Sequence, residues 1–172
     1  MLTDEFAIAF REEHREIRDA LLALIEAFRA HNKARITAMI GKAARLTGPH
    51  FRYEEEALYP SLVEVLGEDY IEKMLLDHDC AIGTVNALVE LADKGKLSEA
   101  ETRGATEAAR TILPHVSDCE GLSIMTELLP DRQLQRILDR RDVCKREGLG
   151  LVQWATQVRK RPFVKIKVDA VR

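Results

Sequence analysis

The sequence lacks the features that are typical of disulfide-linked, membrane-spanning and secreted proteins, and of several large enzyme classes. Its three cysteines, Cys80, Cys119 and Cys144, are odd in number and show no paired spacing, which favours reduced thiols over a disulfide framework. No apolar run approaches the roughly eighteen residues that span a bilayer, and the N-terminus lacks the basic and apolar regions of a signal peptide. We find no phosphate-binding loop, zinc-protease motif or nucleophile elbow. We therefore expect a cytoplasmic protein that binds neither a membrane nor a nucleic acid.

What is present fits one compact domain with a hydrophobic core. The chain has 172 residues, of which 46% are hydrophobic and 32% are charged, as in soluble globular proteins. Charge is unevenly placed: residues 131–172 hold 12 Lys or Arg against 5 Asp or Glu, although the whole chain has a net charge of −3. We expect this basic C-terminal segment to lie against an acidic surface, either its own or that of a partner.

Apolar residues recur every three or four positions in four long segments, which predicts four amphipathic helices. Short turns join the segments, and four long helices with short connections are typical of an up-down-up-down bundle. The prediction is an all-α fold. The four predicted helices cover about residues 3–30, 34–66, 68–94 and 98–129.

Prolines and glycines divide the rest of the chain. Gly48-Pro49 should kink or briefly interrupt the second helix, and Pro60 should do so again. We predict a bundle domain in residues 1–130 and a basic C-terminal helix and tail in residues 131–172. Within the tail, Val164–Val168 alternates like a strand, which would be mobile or would pair with another subunit. The C-terminal segment is our candidate contact for a homo-oligomer.

Four of the five histidines fall on the apolar stripes of the four helices: His14, His50, His78 and His115. Glu54 follows His50 by four residues, so on a helix both side chains leave the same face one turn apart. The phrase Ala-Ala-Arg that precedes His50 recurs before His115, 65 residues later, and the chain therefore looks internally doubled.

A single histidine on an apolar face is usually a core residue with satisfied hydrogen bonds. Four on separate stripes are a different case, because burying them with carboxylates and no cation would leave groups unpaired, at about 1–3 kcal/mol each. This set of nitrogen and oxygen donors is too large for one tetrahedral zinc ion. It suits two first-row ions bridged by carboxylates, with iron or manganese favoured and another divalent metal as the alternative.

Over about residues 4–130, the chain resembles the hemerythrin-like, or HHE, cation-binding domains. The motifs that carry the resemblance are Glu12-Glu13-His14-Arg15-Glu16-Ile17 and the more specific stretch from His50 to Pro60. The resemblance implies a four-helix bundle that holds two non-haem iron ions. By that resemblance Glu54 bridges the irons, and the terminal ligands are His14, His50, His78 and His115.

Two positions depart from the family pattern. Ile82 stands where the oxygen-carrying hemerythrins have a further histidine, which argues against dedicated oxygen carriage and for the broader HHE group. Four residues after His115 stands Cys119, and the carboxylate follows at Glu120, which we interpret as a second bridge although a five-residue step rotates the side chain by about 140°. Cys119 is then a thiolate ligand, a redox-active thiol or a packed core residue, and packing is favoured.

The sequence thus predicts a di-iron protein that binds oxygen, nitric oxide or a related small oxidant for sensing, storage or stress response. An alternative is an enzyme with the same centre, which reduces peroxide or nitric oxide or delivers iron for iron–sulfur repair. A second alternative is a metal-free bundle that serves as an interaction module. Glu55 and Glu56 are interpreted as solvated helix residues rather than as ligands.

Overall fold

In the computed structural model, which describes residues 1–94 and 96–161, all regular secondary structure is helical, and this confirms the all-α prediction. None of the described helices is both long and apolar enough to cross a membrane. The alternating direction of the bundle helices stays a prediction. The α-helices of the described residues are α1 Leu2–Arg29, α2 Lys33–Tyr53, α3 Tyr59–Leu66, α4 Glu68–Asp93, α5 Glu99–Arg110, α6 Leu113–Glu120, α7 Leu122–Met125, α8 Asp131–Glu147 and α9 Leu151–Gln157.

The second predicted helix changes from α-helical to π-helical winding just before Pro60. Pro49 lies inside α2 without ending it. Between α2 and α3, residues Glu54–Leu58 form one turn of π-helix, which closes with the Tyr59 N–H donating to the Glu54 carbonyl. The wider turn suits a following proline, which would otherwise clash with the carbonyl four residues earlier. Because the π-turn has a longer period, Glu54 and Tyr59 both face the interior although they are five residues apart.

The fourth predicted helix is divided rather than continuous. α5 ends at Arg110, and α6 begins at Leu113 with Pro114 in its first turn. A proline there loses no hydrogen bond, because the first N–H groups of a helix have no partner within it. Placing Pro114 inside an unbroken helix was therefore wrong, and the new start at Leu113 sets the direction in which His115 points.

The two C-terminal helices share the core of the bundle. Leu134 and Ile137 of α8 pack into the same buried cluster as Phe6 and Phe10 of α1. On α9, Trp154 is 1% exposed and joins a second cluster. The division into residues 1–130 and 131–172 stays a prediction, but the described part of the second segment lies on the first.

The acidic surface expected opposite the basic segment belongs to the chain itself. In the described part of this segment, five cations form long-range ion pairs. Their partners are carboxylates of α1, α4 or the π-turn. The predicted strand at Val164–Val168 lies outside the described residues. The pairs are Arg140 with Glu56, Arg141 and Lys145 with Glu13, Arg159 with Glu55 and Asp79, and Arg161 with Glu72 and Asp79.

Candidate metal centre

Four helices bring the four predicted histidines to one buried volume. His14 lies on α1, His50 on α2, His78 on α4 and His115 on α6, and none is more than 5% exposed. The ring centroids of His14 and His50 are 4.5 Å apart, and those of His78 and His115 are 4.8 Å apart. The histidines therefore form two pairs, one from α1 and α2 and the other from α4 and α6.

Glu54 lies between the two pairs and is fully buried. Its Oε1 is 3.2 Å from His50 Nε2, and its Oε2 is 3.2 Å from His78 Nε2. Burial alone would raise the pKa of Glu54, but His50 and His78 outweigh burial and hold that pKa well below its usual value. Glu54, the first residue of the π-turn, thus presents an ionised carboxylate with one oxygen toward each histidine pair.

Three of the imidazoles are oriented by an outer acceptor at Nδ1. His14 Nδ1 donates to the Phe10 carbonyl at 2.8 Å, and His50 Nδ1 is 2.8 Å from Glu13 Oε2. His78 Nδ1 is 2.9 Å from an oxygen of Glu55. An acceptor that holds the Nδ1 proton leaves Nε2 free on the inner side, which is the arrangement of metal-binding histidines.

The centre contains buried polar atoms that the described residues leave without hydrogen-bond partners. These are Oε2 of Glu54 and both ring nitrogens of His115, whose Nδ1 is 3.5 Å from Asp77. Each unpaired buried group costs about 1–3 kcal/mol. A cation in this volume would pair with these atoms. The unpaired atoms therefore support a metal ion here, independently of the sequence pattern.

The candidate ligand atoms divide into two groups of three. One group is His14, Glu54 and Cys119, and the other is Glu54, His78 and His115; within each group the ligand atoms lie within 4.8 Å of one another. Glu54 is common to both. Imidazole and carboxylate are ligands of first-row transition metals.

Each histidine pair combines one raised and one lowered pKa. In the first pair, burial and then the nearby His50 lower the pKa of His14 to about 4. Burial opposes protonation of His50 too, but Glu54 and a second carboxylate outweigh it and raise the pKa of His50 to about 9. In the second pair, carboxylates likewise raise the pKa of His78 against burial, whereas burial lowers that of His115. In each pair, the carboxylates thus favour the charged form of one imidazole, and burial favours the neutral form of the other.

Glu120 is the predicted ligand that the structure does not bring to the cluster. Its side chain is 42% exposed and pairs with Arg11 at 3.2 Å. The five-residue step from His115 rotates it out of the interior. Cys119, four residues after His115, occupies the inward position, is 0% exposed and donates from Sγ to Glu54 Oε1 at 2.8 Å. We therefore do not keep Glu120 among the candidate ligands.

Two carboxylates that contact the histidines from outside, Glu13 and Glu55, were not predicted to do so from the sequence. The interpretation of Glu55 as solvated was wrong, because its side chain is 9% exposed and contacts His78. Glu13 similarly contacts His50 and accepts from the Tyr53 hydroxyl at 2.9 Å. A signal for Glu55 was present in Pro60, which predicts a disturbance of the helix but not its type.

Cations of the C-terminal helices neutralise these outer carboxylates. Arg141 and Lys145 of α8 lie 2.7 and 2.9 Å from Glu13. Arg159, which follows α9, lies 2.7 Å from Glu55. Each outer carboxylate therefore links one candidate ligand to the basic segment.

A cleft leads to one side of the centre. It has a volume of about 240 Å³, and its walls include Glu16, Arg45, Pro49, His50 and Lys145. His50 therefore lines a cleft between α1, α2 and the C-terminal end of α8.

Comparison with known protein families agrees with this geometry. The family model of the hemerythrin HHE cation binding domain matches residues 7–122. That range includes the four histidines, Glu54 and Cys119, and it ends before α8. Comparison with curated proteins and with solved structures gives no match. With about two thirds of its length matched and its histidines gathered around a buried carboxylate, the chain belongs to the hemerythrin HHE cation-binding family.

Proposed function

We propose that this protein binds two metal ions, which we assign as iron, and through them a small oxidant such as oxygen or nitric oxide, for sensing, storage or stress response. The observation that carries the proposal is the pair of buried ligand groups that share Glu54. Bound iron supplies a change of oxidation state and a coordination position for a small molecule. Manganese is the alternative metal.

The division of the ligands follows the contacts of Glu54. Oε1 of Glu54 faces the pair His14 and His50, whereas Oε2 faces His78. The unpaired nitrogens of His115 belong to the second side. One ion on each side would be held by these residues, and Glu54 would offset part of the charge of both.

The residues around the histidine cluster favour binding of a small, weakly polar molecule. Phe51 stacks on His78 with ring centroids 3.7 Å apart, and Phe10 packs on His14 at 4.4 Å. These rings exclude bulk water from the cluster, which strengthens electrostatic interactions within it. The Tyr59 hydroxyl, 3.0 Å from His78 Nε2, is placed to donate a hydrogen bond to a molecule bound there.

The test combines elemental analysis with absorption spectra of the purified protein before and after addition of oxygen or nitric oxide. We expect about two iron ions per chain and a reversible spectral change. His50→Ala should reduce the iron content, whereas the matched control His31→Ala should not, because His31 lies in the exposed turn between α1 and α2. Sustained consumption of peroxide or nitric oxide would instead favour an enzyme. A colourless protein that is equally stable with chelator would favour an interaction module.

A further inference from the structure

The two sides of Glu54 do not offer the same donors. The side of Oε2 has His78 and His115, whereas the side of Oε1 has His14, His50 and also a thiol. We propose that Cys119 is a thiolate ligand of the ion on the Oε1 side, which makes the centre chemically asymmetric. This inference rests on the proposed function and extends it.

Helix geometry directs Cys119 at the centre. It follows His115 by four residues on α6, so both side chains leave the same face of the helix one turn apart. Cys119 is 0% exposed, its Sγ lies 2.8 Å from Glu54 Oε1, and it forms one ligand group with His14 and Glu54. The position is therefore part of the donor set rather than of the helix exterior.

The surroundings of Cys119 differ from those of a cysteine that only fills space. Cys144 is also buried, at 1% exposed, but its thiol makes no hydrogen bond to a described residue. Cys119 contacts a carboxylate and lies 3.6 Å from the Tyr59 hydroxyl. Two observations are independent of the thiol. The Nε2 atoms of His14 and His50 face each other at 3.4 Å on this side of Glu54, and on the other side Glu54 Oε2, which is fully buried, has no hydrogen-bond partner among the described residues.

Glu120, the carboxylate that follows Cys119 on α6, cannot reach the Oε1 side of Glu54 without a change in structure. Glu120 points outward and pairs with Arg11. The donor that this chain presents one turn after His115 is therefore sulfur instead of oxygen. Thiolate favours iron, zinc or cobalt, whereas manganese prefers oxygen donors. We expect the Oε1 side to discriminate against manganese more strongly than the Oε2 side does.

Binding replaces a proton with the metal ion. In the metal-free protein the Cys119 S–H donates to Glu54 Oε1. On binding, the S–H bond breaks, a metal–sulfur bond forms, and the proton leaves to solvent, so no oxidant or reductant is needed. The freed Glu54 oxygen is then available to the same ion.

The experiment uses cobalt(II) as a probe in the full-length chain from which metal has been removed. Wild type and the control Cys144→Ser should both show thiolate-to-cobalt charge-transfer absorption in the near ultraviolet. Cys119→Ser and Cys119→Asp should lose that absorption and still bind cobalt through the remaining ligands. X-ray absorption of the zinc-loaded protein should show a sulfur neighbour at about 2.3 Å in wild type and none in Cys119→Asp.

The outcomes separate this inference from the proposed function. Cobalt that binds to wild type without charge-transfer absorption overturns the thiolate and leaves the two-ion centre standing. The same holds if absorption persists in Cys119→Asp, or disappears in Cys144→Ser instead. A wild type that binds no cobalt overturns both. If Cys119→Ser does not fold, the wild-type spectra and Cys119→Asp, which restores a carboxylate at this position, still decide the matter.

Discussion

Arg159 and Glu55 form a two-bonded ion pair at the edge of the histidine cluster. Nε and Nη2 of Arg159 donate to the two carboxylate oxygens at 2.9 and 2.7 Å, and their side chains are 2% and 9% exposed. Glu55 also contacts His78 Nδ1. A residue beyond the family-matched range is thus one side chain away from a candidate ligand, and this relation leads to the first prediction.

Replacing Arg159 should destabilise the protein strongly. Arg159→Gln leaves Glu55 without its countercharge and Asp79 with one cation fewer, and removing one partner of a buried pair costs about 3 kcal/mol or more. The control Arg140→Gln breaks a more exposed pair with Glu56 and should cost about 1 kcal/mol or less. Denaturant titration gives both free energies of unfolding. Equal losses would contradict the role we assign to Arg159.

His115 should lower the free energy of unfolding of the protein when no metal is bound. Neither of its buried nitrogens has a hydrogen-bond partner among the described residues, and an apolar side chain of similar size removes that cost. We expect His115→Leu to leave the metal-free free energy of unfolding unchanged or to raise it by about 1 kcal/mol. With metal present the sign should reverse, because the variant has lost a ligand. Unfolding measured with and without chelator distinguishes these signs, and a large loss in chelator would contradict the prediction.

Gly48 allows the backbone that leads into α9 to approach α2. A Cβ at this position would lie 2.1 Å from the carbonyl oxygen of Leu149. Gly48→Ala should therefore lower the free energy of unfolding by about 3 kcal/mol, because backbone rather than a flexible side chain must move. The control Gly41→Ala, where the nearest atom is the end of Arg45, should be neutral or stabilising by up to about 1 kcal/mol. Similar effects at the two glycines would refute the close-approach argument.

The capping box of α5 should make part of the stability dependent on acid. Lys94 and then Ser98 hydrogen-bond to Glu101 and lower its pKa from 4.5 to about 2. A carboxyl with a lowered pKa stabilises the fold above its unfolded pKa, and this contribution disappears as the pH falls from about 4.5 toward about 2. The difference in free energy of unfolding between wild type and Glu101→Gln should be constant near neutral pH and shrink over that interval. A difference that does not change with pH would argue against the cap.

Local spacing was enough to predict that four histidines face the interior and lie close together. Apolar periodicity fixes which face of a helix turns inward, and it selected His14, His50, His78 and His115 without knowledge of tertiary contacts. The same rule favours Cys119 over Glu120, since a step of four residues overshoots one turn by only about 40° and a step of five by about 140°. The prediction of Glu120 as a ligand followed the family pattern, whereas the helix turns this side chain outward to Arg11.

The outer contacts could not be predicted in the same way. Glu55 turns inward because a π-turn precedes Pro60, and the sequence indicates a disturbance there without specifying its winding. Arg141 and Arg159 reach Glu13 and Glu55 across more than 100 residues of chain. The excess of basic residues predicted contact with an acidic surface, either of the chain itself or of a partner, but the pairing of individual charges depends on how α8 and α9 pack.

The late position of α8 and α9 has a consequence for synthesis. While the ribosome has yet to release these helices, Glu13 and Glu55 exist without Arg141, Lys145 and Arg159, and the nascent bundle carries uncompensated negative charge beside its histidines. Translation of α8, α9 and Arg159 supplies that compensation. The centre therefore reaches its finished electrostatic environment only after residue 159 has been made, although the last of its histidines is already present at residue 115.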